Sequence, residues 1–243
     1  MYKRENSMTK YEQIAIYIKE KIINGEYKAN EQLPFEKVIC EKFNASKMTV
    51  KKALDLLVME GLIVKRRGAG TFVKDMSQDQ IEDLSIKNQF AGLTVTNAGH
   101  KIESKLLDFK IINADSKIAE NLKIDEDDFV CFIHRVRYVD EKAVVIEKTY
   151  MPLYLFPVIK RSDAEGSLYS YIQDKMKLKI QSYHSTIRAR KSNEIDKEYL
   201  NLESDEPVLE VERIGYLDNG KVFEYSFSRH RYDTYEFKAI IVR

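Results

Sequence analysis

The sequence predicts an α+β fold in two parts, a small helical module closed by a β-hairpin and a larger antiparallel-sheet domain. Three observations carry that prediction. Residues Ser46 to Val73 place a helical apolar stripe directly before two short apolar runs joined by Lys65-Arg66-Arg67-Gly68-Ala69-Gly70. Beyond residue 100, seven segments of strand character alternate with turn signals, and three helical stretches lie among them. Charge divides the same way: residues 1–76 hold 15 Lys and Arg against 10 Asp and Glu, and the remainder is mildly acidic, within a net charge of +1. A basic front on an acidic body suits a nucleic-acid-binding module joined to a part that does not bind nucleic acid.

Residues 1–8 are expected to be a disordered start. From Thr9, the residues Tyr11, Ile14, Ile18 and Ile22 fall on one helical stripe that Asn24-Gly25 closes. Pro34 suits a first helical turn, Glu36 to Phe43 gives a second helix, and Asn44-Ala45 turns the chain. Ser46 is placed to cap a third helix. There Val50, Ala53, Leu54, Leu57 and Val58 make the apolar face, while Lys47, Thr49, Lys51, Lys52 and Asp55 point elsewhere. Gly61 stops it, because a residue without a β-carbon accepts the left-handed backbone of a helix end. A helix followed by a basic-tipped hairpin reads as a winged helix-turn-helix, whose helix N-terminus enters a major groove and whose Gly-rich turn approaches phosphate or a minor groove. Taken alone, a Lys-rich face is usually only solvated, and Gly-Ala-Gly is a common hairpin turn. The ordered combination is far rarer.

The same residues resemble the N-terminal domain of the GntR family of bacterial transcription regulators. Four blocks stand in order: Leu33-Pro34-Phe35-Glu36-Lys37, Ser46-Lys47-Met48-Thr49-Val50-Lys51-Lys52-Ala53-Leu54, Glu60-Gly61-Leu62 and Gly68-Ala69-Gly70-Thr71-Phe72-Val73. The family's Ser after Pro is Phe35 here, and its three arginines are Lys37, Lys47 and Lys51. Lysine is a point charge without the guanidinium fork, so the docking mode is expected to persist while base readout differs. The resemblance implies DNA contacts from Lys37, Ser46, Lys47, Thr49, Lys51, Arg66, Arg67, Gly68 and Gly70, in a domain over residues 1–75.

Residues 76–90, polar and without steady periodicity, read as a linker, and 91–243 as the second domain. The stretch 89–101, with Gly92-Leu93-Thr94 and Gly99-His100, reads as loop. Strands are predicted over 104–112, 129–139, 144–151, 180–190, 208–217, 222–232 and 236–242, with helices over 116–122, 168–176 and 194–201. Asn219-Gly220 suggests a two-residue type I′ turn. No internal repeat is visible. Long hairpin-joined strands with interspersed helices indicate an antiparallel α+β domain.

Arg135 and Arg137, two apart on a strand, share a face. A three-residue loop over 140–142 would pair Val139 with Ala143 and set Arg135 opposite Glu147. Glu224, Ser226, Ser228 and His230 share one face of the last hairpin, and Ser167 and Tyr169 stand at a helix start. Such a set is either a cross-strand salt bridge on a wet sheet or a pocket for an anionic, hydroxylated ligand, and His230 alone is more often structural. The run from Thr94 to Arg243 resembles the UTRA effector domain of the HutC subfamily, through Arg135-Val136-Arg137, Val145-Ile146-Glu147, Tyr150-Met151-Pro152, Gly166-Ser167-Leu168-Tyr169 and Phe223-Glu224-Tyr225-Ser226. That resemblance implies a chorismate-lyase-like fold, an anion held by Arg135, Arg137, Ser167 and Tyr169, and a polar ligand body held by Glu147, Glu224 and His230, with Thr94 also among the effector-binding residues.

No apolar run reaches the ~18 residues a membrane helix needs, and no signal peptide opens the chain, so a cytoplasmic location is expected. Cys40 and Cys131 are too few and too distant for a disulfide framework and read as buried free thiols. The histidines show no metal spacing, and no cofactor is expected. An enzyme reading lacks a Gly-rich nucleotide loop, a metal cluster and an ordered nucleophile-base set. The expectation is a regulator, most simply a homodimeric repressor of a carbohydrate operon, bound to double-stranded operator DNA and released by a sugar phosphate. An amino-acid-derived or phosphonate effector is the competing version.

Overall fold

The computed structural model describes residues 8–76, 93 and 99–237. Residues 1–7 of the expected disordered start, 77–90 of the linker, Thr94 with most of the 89–101 loop, and 238–242 of the last predicted strand lie outside the described residues. The chain divides into two compact units.

In the first unit, helix α1 (Lys10–Ile23) opens where the Glu12 carboxylate reaches back to the Thr9 amide at 2.8 Å. It buries Ile14, Ala15, Ile18 and Ile22. Helix α2 (Glu36–Phe43) follows Phe35, which offers its amides no side-chain cap. Pro34 therefore precedes the cap residue and does not enter the first turn. Asn44 takes the left-handed conformation at φ 45° and swings the chain into α3 (Lys47–Met59), capped as expected by Ser46, whose Oγ accepts from the Thr49 amide. Val50, Ala53, Leu54 and Leu57 of α3 close on α1 and on Leu33, Ile39, Leu62, Ile63 and Val73. Gly61 ends α3 at φ 73°, with the Leu62 amide donating to the Leu57 carbonyl. Strands β1 (Ile63–Arg66) and β2 (Gly70–Val73) form the wing.

The second unit is one six-stranded antiparallel sheet. Its elements are β3 (Ile102–Asn113), α4 (Ser116–Leu122), β4 (Phe129–Val139), β5 (Lys142–Pro152), the short helices α5 (Arg161–Glu165) and α6 (Leu168–Ser170), a π-turn over Tyr171–Lys175, β6 (Ile180–Lys191), α7 (Glu194–Leu200), β7 (Pro207–Leu217) and β8 (Val222–Arg231). Strand order is β3-β4-β5-β8-β7-β6. The chain thus builds the same β-α-β-β unit twice, each with a seven-residue helix, and joins the two along β5 and β8. No internal repeat is expected from the sequence, yet the two halves carry identical residues 78 positions apart at Leu122 and Leu200, Val130 and Val208, Arg135 and Arg213, Tyr138 and Tyr216, and Asp140 and Asp218.

One sheet face is covered by α4 and α7. Ile118, Ala119 and Leu122 of α4 meet Val130, Val222 and Tyr225, while Leu200 of α7 meets Val136, Ile146 and Val208. Each fully buried aliphatic side chain there contributes about 1.5–3 kcal/mol. Asp196 on α7 is fully buried because Arg229 donates to both its oxygens at 3.0 and 2.7 Å. On the other face, Cys131, Ile133, Met151 and Phe223 pack under Phe156, Ala164, Leu168 and Ile172 from the β5–β6 connection.

Several predicted details differ. The β4–β5 turn has two residues, Asp140 and Glu141, both at positive φ, and pairs Val139 with Lys142. Val144 then bulges out of register. Gly220 alone is left-handed in the β7–β8 turn, where the Leu217 amide donates to the Lys221 carbonyl. That is a three-residue loop, because Asn219 keeps negative φ and no type I′ turn forms. The 168–176 helix splits into α6 and the π-turn, α5 was not foreseen, and Glu236 and Phe237 are outside any strand.

Candidate nucleic-acid interface and effector site

In the first unit the cations divide into two sets. Lys65 is tied to Asp55 at 2.7 Å, Lys19 to Glu60 at 2.7 Å, Lys52 lies 3.9 Å from the Tyr11 ring centre, and Arg66 stacks on Phe72 at 4.9 Å. Lys37, Lys47, Lys51 and Arg67 are exposed and, among the described residues, make no ion pair. Three of these four sit at or near the starts of α2 and α3, and the first turn of α3 holds no acidic residue. Helix amides, their dipole and uncompensated lysines thus all face solvent together. Ser46 and Thr49 share a hydroxyl contact at 2.9 Å, which leaves one hydroxyl hydrogen of the pair to donate outward. At the wing tip Gly68 has φ 77° and Gly70 φ 119°. A β-carbon on Gly70 would lie 2.4 Å from the Gln32 amide nitrogen, which donates to the Ala69 carbonyl and braces the turn.

In the second unit, the registers place the sequence-predicted residues on the sheet face opposite α4 and α7. One cross-strand row is Leu106, Arg135, Glu147, Ser228 and Val211; the next is Ile133, Thr149, Ser226 and Arg213. Arg135 does lie opposite Glu147, because the shorter turn and the Val144 bulge offset each other. Its Nε and Nη2 each stand 2.7 Å from Glu147 Oε2. Its Nη1 donates to the carbonyls of Ala164 at 2.6 Å and Gly166 at 3.0 Å, so Arg135 also fixes the loop that presents Ser167. Arg137 is as deeply buried, with Nη1 3.8 Å from the same carboxylate.

Burial pushes the Glu147 carboxyl upward, but the Arg135 and Arg137 guanidiniums outweigh it and hold Glu147 below the ordinary carboxylate range. Burial pulls Arg137 down, with Glu147 opposing. Glu224 behaves oppositely to Glu147: burial raises it despite Arg213 and the Ser226 hydroxyl, which donates to its Oε1 at 2.5 Å. His230 stacks on Tyr235 with ring centres 3.8 Å apart, and burial drives it down to about 4. It is therefore neutral at pH 7. Ser167 Oγ accepts from the Ser170 amide, leaving its O–H to donate. Tyr169 turns toward β7, where Arg213 Nη1 donates to its hydroxyl at 3.2 Å. Thr94 lies outside the described residues.

Sequence reasoning missed Arg213, Thr149 and Tyr183. A signal for Arg213 existed, since it interrupts the period-two row Leu209, Val211, Gly215 and Leu217. Among the described residues no group of ligating side chains could hold a metal ion, and no helix is long and apolar enough to cross a membrane.

A half-buried His held neutral makes the fold acid-sensitive. Folded His230 stays unprotonated to about pH 4, whereas the unfolded chain protonates near 6.5, so its contribution is complete above pH 6.5 and is lost between 6.5 and 4. Burial lowers His134 too, with the same sign. Thermal melts of the full chain are expected to shift downward from pH 7 to 5, and His230→Gln should flatten that slope. An equal slope in the variant would assign the sensitivity elsewhere.

Residues 10–73 match the family described as bacterial regulatory proteins of the gntR family, and residues 97–236 match the UTRA domain. The HTH-type transcriptional regulator GmuR of Bacillus subtilis is 39% identical over 236 residues, covering 97% of this chain and all of GmuR. The mannosyl-D-glycerate transport/metabolism system repressor MngR of Escherichia coli is 34% identical over 235 residues, covering 96% of each. The crystal structure of YydK from Bacillus subtilis superposes with a TM-score of 0.76 at 27% identity, covering 97% of this chain and 100% of that one. These are DNA-binding regulators and not enzymes. With both halves matched and the wing and sheet in place, the chain belongs to the GntR family, as a transcriptional regulator of HutC type with a C-terminal UTRA domain.

Proposed function

We propose that this regulator is a repressor of a carbohydrate uptake or catabolic operon, released from its operator by a small anionic effector such as a sugar phosphate. The observation that carries the reading is the row of buried guanidiniums and carboxylates on one sheet face of a chain whose other unit exposes unpaired cations at two helix starts. MngR, by its name a repressor of a sugar-derivative transport system, supports the carbohydrate assignment. In this reading residues 1–75 bind DNA through Lys37, Ser46, Lys47, Thr49, Lys51, Arg66, Arg67 and the Gly68 and Gly70 amides. Residues 76–90 link, and 91–243 sense and dimerise. Arg135, Arg137, Ser167 and Tyr169 surround the anion, and Thr94, Glu147, Glu224 and His230 surround the polar body.

The protein acts in the cytoplasm as a homodimer, its two heads meeting half-sites separated by roughly 10 base pairs or a multiple. Effector binding favours a domain arrangement that no longer fits that spacing, which requires unequal effector affinity in the two arrangements. In a gel shift on duplex from upstream of its own gene, at least one member of a hexose phosphate panel is expected to release the protein. Retention of the complex across the whole panel would remove the sugar-phosphate assignment.

A further inference from the structure

Arg213 occupies in the second β-α-β-β unit the place that Arg135 occupies in the first. Each is the seventh residue of its strand, β7 or β4, and each points to the same sheet face. Their cross-strand partners differ. Arg135 faces Glu147 and spends four of its five N–H groups on that carboxylate and two carbonyls, whereas Arg213 faces Ser226. Among the described residues Arg213 has no carboxylate within salt-bridge distance. One nitrogen donates to Tyr169, the guanidinium lies 4.9 Å from the Tyr183 ring centre, and its Nε is buried without a hydrogen-bond partner. A guanidinium taken from water with donor capacity unused is costly to the fold and calls for an explanation, of which completion by a ligand is one.

What completes it follows from its neighbour. Glu224 pairs with Gly215, two residues along β7 from Arg213, and its carboxylate is held by the hydroxyl of Ser226, the residue directly across from Arg213. A second anionic group arriving at Arg213 would meet that carboxylate. An uncharged hydroxyl meets no conflict, since its oxygen accepts from arginine while its hydrogen donates to glutamate.

Resting on the anionic-effector reading above, we infer that Arg213 is a specificity-determining residue which, with Glu224, reads an uncharged hydroxyl of the effector beside the Tyr169 side of the anion site.

The test uses the full chain, isothermal titration, and three probes: inorganic phosphate, glucose 6-phosphate and mannose 6-phosphate. The wild type is expected to bind at least one hexose phosphate at least tenfold more tightly than inorganic phosphate. Arg213→Met should erase that preference, weakening the hexose phosphates far more than inorganic phosphate, while Arg213→Lys, which keeps the charge but not the fork, should fall between. Equal weakening for all three probes would make Arg213 the anion holder and overturn the inference, as would a preference that survives both variants or a wild type that prefers inorganic phosphate. A wild type that binds none of the probes would overturn the effector reading itself.

Discussion

Arg135→Met should destabilise the C-terminal unit by about 3–5 kcal/mol, the cost of leaving a buried charge without its partner. Three observations set that scale: Arg135 is 4% exposed, Glu147 receives two of its nitrogens, and the Ala164 and Gly166 carbonyls receive a third. Urea unfolding of the full chain measures it. Arg135→Met/Glu147→Met, which removes both charges, should recover only part of the loss, because the same carboxylate also faces buried Arg137 at 3.8 Å and its removal takes that counter-charge away. The remainder combines the Ala164 and Gly166 carbonyls, at about 1–3 kcal/mol for a buried unsatisfied group, with the lost Glu147 counter-charge on Arg137. A single variant as stable as wild type would mean that Glu147 finds another counter-charge. The sequence treats Arg135 and Arg137 as equivalent anion holders; the structure separates them, giving Arg135 the added task of fixing the 164–167 loop.

Lys47→Ala and Lys51→Ala should each lower the slope of log affinity against log salt by about 1 and weaken operator binding across sequences. Neither lysine has an ion-pair partner among the described residues, so unfolding free energy should stay within ~0.5 kcal/mol of wild type. Fluorescence anisotropy on a labelled duplex at several salt concentrations gives the slope. Unchanged slopes in the double variant would move the phosphate contacts to Lys37 and the wing.

The N-terminal unit was legible almost residue by residue, because helical period, Ser46, Asn44 and Gly61 are local signals read within one turn of chain. The second unit was legible as strands, less so at its joints. Asp140-Glu141 carries no Asn-Gly signal, yet both residues take positive φ in the two-residue turn that the β4–β5 register leaves them. The correct facing of Arg135 and Glu147 came from two compensating errors, a loop counted one residue too long and an unseen bulge at Val144. Phe223 bulges likewise, and Gly215 accommodates it: a β-carbon there would stand 2.6 Å from the Phe223 ring. Bulges leave no period in a sequence, since what requires them is the shape of the opposite strand. Arg213 was missed for a different reason. A lone cation in an apolar row has meaning only once the strands beside it are known.

The twofold recurrence of β-α-β-β leaves the sheet with a single long-distance seam. Tyr150 pairs with Tyr225 and Val145 with His230 across that seam, although 75 and 85 positions separate them along the chain. Each half gathers from neighbours near in sequence, so closing the seam carries the greatest loop entropy. Glu147 and Thr149 line one bank, Ser226 and Ser228 the other. A molecule that grips both banks would act as a clasp on this junction, since whatever binds only the closed sheet stabilises it by mass action.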